Sequence, residues 1–285
     1  MATLPAGLAA RAHRATELLH SFVYFVPEAD EEFVAIGLKA GRMHYFASRS
    51  APMGPVTAGV TTATFHNFKP SLVAHFIPRA WTMASPADIL DARLRVVDRA
   101  LRRMVGDAVD APETAELAAL ARTATEPLQP EGRPLYAGHA ELAWPDEPHL
   151  QLWHAASLLR EYRGDGHIAA LQLAGLSGLE AIVSHTATGR GFTPEAARLL
   201  RGWTEEEWAA AEDGLRSRGI VDGDGALTDA GRALREQVET QTDAMDEASW
   251  LHLGEERTAR LIELGKGLTR QVAGSGVFGG GVFAG

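Results

Sequence analysis

The chain contains no cysteine. That absence excludes disulfides, thiolate nucleophiles, thiolate-ligated haem and cysteine zinc sites together. Lysine is scarce as well, at positions 39, 69 and 266 only, so arginine carries the basic character. With abundant alanine and glycine, this is the composition of a GC-rich genome. No apolar run reaches the roughly 18 residues of a membrane span. The opening MATLPAGLAARAHRATELLH is amphipathic and lacks the continuous apolar segment and cleavage site of a signal peptide. The expectation is the first helix of a cytoplasmic protein. Nucleotide fingerprints are missing too: there is no Walker loop, and GSGVFGGG neither follows a strand nor precedes a helix. GLSGLE, at Gly175 to Glu180, lacks the pattern of a nucleophile elbow.

What is present fits a globular protein of about two domains: 285 residues, 46% hydrophobic and 22% charged. A chain of this length buries a substantial core without staples. The formal net charge of −10 lowers the odds of nucleic-acid binding without excluding a local basic stripe. Two candidate stripes exist: Arg99, Arg102 and Arg103, then Arg198, Arg201, Arg216 and Arg218. Solvated helix faces paired with carboxylates are the favoured reading of both.

Apolar spacing and Gly/Pro punctuation predict a mainly α chain. Helices are expected over Arg11–Val26, Asp30–Leu38, Asp88–Val105 and Val109–Thr125, and from Pro70 at an N1 position. A Pro- and Gly-rich stretch over 127–149 reads as a connection between an N-terminal helical half (1–126) and a C-terminal half (150–272), with a Gly-rich tail over 273–285. In the second half, Gly164-Asp165-Gly166 reads as a turn, with Asp165 capping a helix from His167. Thr204 and Glu207 form a capping box. Ile220-Val221 and Ala226-Leu227-Thr228 flank Asp222-Gly223-Asp224-Gly225, a hairpin turn signal, and Thr228 or Asp229 caps the helix beyond. Helix, short two-stranded wing and second helix predict a winged-helix unit from about His167 to Glu239. Its expected core is Leu171, Leu179, Leu199, Trp208, Leu215, Ile220, Leu227 and Leu234. Ala35-Ile36-Gly37-Leu38 is echoed 138 positions later by Leu173-Ala174-Gly175-Leu176. The echo raises a degenerate duplication of two related halves, with coincidence in a Gly/Ala-rich chain as the alternative.

The segment RGWTEEEWAAAEDGLRSRGIVDGDGALTDAGRALRE resembles the end of a MarR-type winged helix, in which the helix before the wing normally enters the DNA major groove. With YFASRSAPMGPV, ATFHNFKPSLV and LWHAASLLREYRGDGH, the whole chain looks like a family of actinobacterial two-half helix-turn-helix proteins without a secure biochemical role. That resemblance implies a mostly helical fold with a winged-helix C-terminal half. The ending GVFGGGVFAG departs from the Pro- and Asn-containing tail expected of the family. The helix from Thr204 also departs from a DNA reader. It opens Glu205-Glu206-Glu207 and carries Glu212 and Asp213, where phosphate contacts call for basic or neutral side chains. The structural alternative for those glutamates is a favourable interaction with the helix dipole.

The residues able to carry chemistry concentrate in the first half: His20, Tyr24, His44, Tyr45, Arg49, His66, Asn67 and His75. His20 and Tyr24 lie one helical turn apart and share a face. Aromatics beside polar groups at Gly/Pro breaks suit a small-molecule pocket. Tyr24, Tyr45, Arg49, His66 and Asn67 are the candidate ligand-binding residues, with Arg49 holding an anion. For any one of them, a buried side chain bonded to backbone is the competing reading. His139, His149, His154, His167 and His185 follow no metal spacing, so no metal site is expected. No cofactor is required, and a haem held by a single His is the one cofactor the residues accommodate. The functional expectation is a small-molecule-binding protein on a winged-helix, regulator-like scaffold, with DNA binding disfavoured and a homodimer left open. Two alternatives stand beside it. One is an enzyme of specialised metabolism, with His20 or His66 as acid/base and Tyr45 or Arg49 as partner. The other is a ligand-responsive transcription factor that binds DNA through another face.

Overall fold

The computed structural model describes residues 4–5 and 7–277. Among them the structure is all helical, with 14 α-helices, short 3₁₀ turns and one isolated β-bridge. Two compact units emerge. One takes residues up to Val56, Phe76–Asp165 and Asp243 onward; the other takes Thr57–His75 and Gly166–Thr242.

The first unit is built on α6 (Pro86–Val105). Ser85 and Asp88 close a reciprocal capping box and Pro86 occupies the first helical position. Its buried stripe, Ile89, Ala92, Val96, Val97, Ala100 and Leu101, follows helical periodicity. Against it pack α2 (Pro27–Ala35), α3 (Arg42–Ser50) and α14 (Glu255–Gly274). Helix α14 also lies along α1 (Leu8–Ser21) and α7 (Pro112–Thr125). The approach to α1 is close: a Cβ at Gly265 would come within 2.8 Å of the Ala15 carbonyl oxygen. The expected connection over 127–149 carries a short helix, α8 (Pro134–Ala140). Helix α9 (Pro148–Leu173) begins in this unit and ends in the other.

The predicted turn at Gly164-Asp165-Gly166 does not exist, because α9 runs through it unbroken. Two glycines inside a helix cost about 1 kcal/mol each relative to alanine, and packing overrides that local preference. Asp165 caps a different helix from the one expected. Its Oδ2 accepts the Leu135 and Tyr136 amides, both at 3.0 Å, at the start of α8.

The second unit holds α4 (Ala58–Phe65) and α5 (Pro70–Phe76), then α10 (Gly178–Thr186), α11 (Pro194–Arg201), α12 (Glu205–Ser217) and the first part of α13 (Asp229–Leu253). Helices α11 and α12 are joined by Gly202, Trp203 and Thr204, with Gly202 left-handed at φ 79°. This is a helix–turn–helix connection, and α10 packs against both helices. The expected capping box is present: Thr204 Oγ1 accepts the Glu207 amide and Glu207 accepts the Thr204 amide.

The predicted winged helix with a β-hairpin wing is overturned. Between Ile220 and Thr228 there is one antiparallel bridge, Val221 to Leu227, and no strand. The cause is local chemistry. Asp222 Oδ1 accepts the amides of Asp224 and Ala226 at 2.9 and 3.0 Å, which makes a side-chain-closed turn. Thr228 then turns to cap α13, accepting the Gly231 amide at 3.0 Å. The arms are spent before a ladder can extend. Leu171, Trp208, Leu215, Ile220 and Leu227 are buried as expected, but Leu179 and Leu234 are only half-buried and Leu199 is 51% exposed. Ala197 is the buried position of α11, and two residues further on the side chain has rotated about 200° to the opposite side.

The Ala-Gly-Leu echo has a local explanation. Gly37 and Gly175 both carry positive φ at a helix end. In each case the following leucine amide reaches back five residues, to Phe33 and to Leu171. The same ending recurs at Gly202–Trp203 and Gly219–Ile220. It is the Schellman closure of a helix, and it produces the echo without requiring a duplicated ancestor.

Candidate functional site

Three segments of the first unit each present a pair four residues apart, and the pairs converge. The end of α1 and the 3₁₀ turn after it give His20 and Tyr24. Helix α3 gives Tyr45 and Arg49. Helix α9 gives Ser157 and Glu161. Spacing by four places each pair on one face.

Arg49 and Glu161 form the centre. Arg49 Nε and Nη2 donate to the two oxygens of Glu161 at 3.1 and 3.0 Å, the bidentate arrangement peculiar to guanidinium and carboxylate. Glu161 is 1% exposed and also accepts from Arg160 Nη1 at 2.6 Å. Burial pushes its carboxyl up, but Arg160, Arg49 and His20 more than reverse that and hold it well below the usual carboxylate range. Arg49 Nη1 donates to the Tyr45 hydroxyl at 3.3 Å, and the rings of Tyr24 and Tyr45 meet edge to face at 5.0 Å.

His20 is buried and links the ion pair to a hydroxyl chain. Its Nδ1 lies 2.9 Å from Ser157 Oγ, its Nε2 lies 3.3 Å from the Tyr24 hydroxyl, and Glu161 Oε1 is 3.6 Å from Nε2. Burial drives the imidazole well below 6.5 and outweighs the Glu161 carboxylate, so His20 is neutral at pH 7. Two proton arrangements satisfy the chain. With the Ser157 proton on the Trp153 carbonyl (2.8 Å), Oγ receives Nδ1–H and Nε2 accepts from Tyr24. With that proton turned to Nδ1, Nε2–H faces the Tyr24 and Glu161 oxygens. Burial also raises the Tyr24 phenol above its ordinary value, so Tyr24 stays protonated. Both tyrosines remain half-buried, at the outer edge of the group.

Beneath this chain lies a second cationic group. Arg93, on the buried stripe of α6, is 2% exposed. Its Nη1 donates to the Ser48 carbonyl at 2.9 Å and meets His139 Nε2 at 3.3 Å, and its guanidinium stacks on Trp153 at 5.0 Å. Burial lowers it to about 10, so it remains charged at neutral pH. Arg93 has no ion pair with any described residue, and its Nε is buried with no partner.

His66 and Asn67 belong to the other unit. His66 sits at φ 55°, ψ −57°, and the Asn67 amide reaches the Phe65 carbonyl at 2.6 Å across it, a γ-turn. This is a strained conformation for a residue with a side chain. A Cβ on Gly178 would stand 2.0 Å from the His66 carbonyl oxygen, so the turn is pressed onto the start of α10. Burial lowers the His66 imidazole and its Nε2 has no partner. Asn67 serves packing: its side chain accepts from Arg201 Nε at 3.1 Å and its carbonyl from Trp203 Nε1 at 2.9 Å. His44 is held by Asp30 at 2.8 Å and stacked on Phe33, away from the Arg49 ion pair.

Of the five candidate ligand-binding residues, the structure therefore brings Tyr24, Tyr45 and Arg49 together with His20. Sequence reasoning missed Glu161, Ser157, Arg160 and Arg93. Two of them carried a usable signal. Glu161 follows Ser157 and Trp153 at steps of four, and Arg93 interrupts an otherwise apolar helical stripe. Among the described residues no three His, Asp or Glu side chains are placed to share a metal ion, and no single helix is long and apolar enough to cross a membrane.

The exposed face of α12 presents Glu205, Glu206, Ala209, Ala210 and Asp213. Glu207 pairs with Lys69 at 2.6 Å, Glu205 with Arg198 at 3.0 Å, and Asp213 with Arg216. The arginines of α6 are engaged as well: Arg95 and Arg99 with Glu32, Arg103 with Glu28, Arg102 with Asp98. With the helix–turn–helix connection and these faces described, comparison with known families is decisive at residues 9–279, which match a family described as the Helix-turn-helix family. This chain belongs to that family. No curated protein and no solved structure matches it. Membership points to a regulator-like scaffold of the kind that binds DNA.

Proposed function

We propose that this helix–turn–helix protein is a small-molecule-binding protein whose ligand is sensed at the His20–Tyr24–Tyr45–Arg49 group, and that α12 does not read DNA. The observation that carries the reading is the Arg49–Glu161 ion pair, linked through His20 to Tyr24 and directly through Arg49 to Tyr45, both half-buried. Burying a hydrogen-bonded ion pair is at best neutral for stability compared with apolar residues of the same volume. A fold that keeps one beside open tyrosine edges has a use for it. Perturbed titratable groups of this kind concentrate at functional sites. The acidic face of α12 supports the second half of the proposal, because carboxylates facing phosphates repel and the nearby arginines are already paired.

Native mass spectrometry of the protein purified from its own cells tests the ligand, with a bound small molecule expected at stoichiometric occupancy. A gel shift at low salt, on DNA from the protein's own locus, tests the rest. Weak, sequence-independent binding is expected; nanomolar, sequence-dependent binding would return α12 or another face to a DNA-reading role.

One observation favours a second reading, an enzyme. Tyr24, His20 and Ser157 form a proton-conducting chain that ends at a half-buried hydroxyl, the geometry required of an acid/base group that reaches a substrate. In that reading His20 is the acid/base, Tyr24 passes the proton, and Arg49 holds the substrate. Turnover abolished in His20→Gln, with folding retained, is its signature.

A further inference from the structure

The carboxylate whose charge acts on Arg93, Glu161, is committed elsewhere. Glu161 is taken by Arg49 through two hydrogen bonds and by Arg160 through a third. Arg93 is left with a carbonyl, a neutral imidazole and an indole face, and with its Nε edge unpartnered. Burial disfavours a charged guanidinium and normally comes with an anion beside it. Every other arginine of α6 that faces solvent has a carboxylate in contact. The buried one does not.

We infer that the ligand of this protein carries a carboxylate, and that Arg93 is the group that recognises it. The inference rests on the small-molecule reading and specifies its chemistry. A carboxylate set against the Nε edge makes the side-on, two-point contact that guanidinium offers and ammonium cannot. Tyr24, half-buried, bonds His20 at 3.3 Å, and His20 stacks on the Trp153 ring that also carries Arg93. A monoanion matches one unpaired guanidinium; a phosphate dianion overshoots it.

The test uses the full chain and benzoate as probe, with benzamide as its neutral isostere and inorganic phosphate as the competing anion, all at constant ionic strength. Thermal unfolding and titration calorimetry are followed for the wild type, Arg93→Met and Arg93→Lys. The expected result is saturable stabilisation of the wild type by benzoate, not by benzamide or phosphate. Its affinity should fall about tenfold or more in Arg93→Met, and partly in Arg93→Lys, which keeps the charge but loses the fork. The wild-type comparison decides even where Arg93→Met fails to fold. Equal responses to benzoate and benzamide, no response to benzoate, or a benzoate response unchanged in both Arg93 variants each overturns the inference. A phosphate response stronger than the benzoate response also overturns it, as a phosphate site. Its failure is distinct from failure of the broader reading. A neutral or cationic ligand found by native mass spectrometry would sink the carboxylate and leave small-molecule binding standing.

Discussion

Replacing Glu161 by glutamine is the sharpest perturbation of the buried network. The exchange keeps the shape and removes the charge. It strips Arg49 of its counter-ion, converts two charge-assisted hydrogen bonds at 3.1 and 3.0 Å into at most one ordinary bond, and places an amide NH₂ against a guanidinium. Arg160 loses its 2.6 Å contact but is half-buried and turns to solvent or toward Glu17. Arg49, 7% exposed, has no such escape. Removing one partner of a buried ion pair costs about 3–5 kcal/mol, because the remaining charge stays desolvated. For a chain of this size that corresponds to a fall in melting temperature of roughly 6–10 °C. The companion variant Arg49→Met/Glu161→Met removes both charges and should recover most of the loss, since apolar replacements of buried pairs are often neutral or stabilising. Calorimetry at pH 7 reads both. If Glu161→Gln unfolds within about 1 kcal/mol of the wild type, the pair is not desolvated, and the case for a buried ionic network fails with it.

Burial raises the Asp246 carboxyl to about 7, with the Trp250 indole and Arg163 pulling the other way. A carboxyl raised on folding binds its proton more tightly in the native state, so stability is greatest below the unfolded pKa near 4 and declines as pH rises toward 7. Asp246→Asn should therefore be the more stable protein at pH 8, with an advantage that shrinks toward pH 4; urea melts across that range that show a constant difference would refute the assignment. Gly231→Ala forces a Cβ to 2.0 Å from the Ile220 carbonyl oxygen, whereas at Gly223 nothing lies within 4 Å. The first should cost about 1–3 kcal/mol or more and the second stay within about 0.5 kcal/mol, as read by chemical denaturation. Replacing Glu205, Glu206 and Asp213 together by glutamine or asparagine should raise non-specific DNA affinity, since three exposed negative charges leave the α12 face; an unchanged affinity across a salt series would show that this face does not approach DNA at all.

The structure bears out the parts of the sequence that rest on short-range chemistry. The capping box at Thr204, the proline start at Pro70, the helix from Asp88 to Val105 and the Thr228 cap depend on residues at most four apart, which the chain carries wherever it is placed. The same locality explains the pairs His20/Tyr24 and Tyr45/Arg49. Errors arose where a local signal was ambiguous and packing decided. Gly164-Asp165-Gly166 has turn composition, yet α9 passes through it and Asp165 is used by amides 30 and 29 residues earlier in the chain. Asp222-Gly223-Asp224-Gly225 has hairpin composition, yet the Asp222 side chain closes a turn and no strand grows from it.

Sequence by itself determined a mainly helical, cysteine-free chain and a helix from Thr204 that begins with an acidic turn, because composition and i, i+3 and i, i+4 patterns act without reference to the rest of the fold. Only tertiary structure decided that Glu161 meets Arg49 across 112 residues, that Ser157 meets His20 across 137, and that Arg93 is buried without an ion pair to any described residue. Those contacts follow from which helix faces which. That is settled by burial of whole apolar faces and close glycine approaches, and no window of adjacent residues contains it.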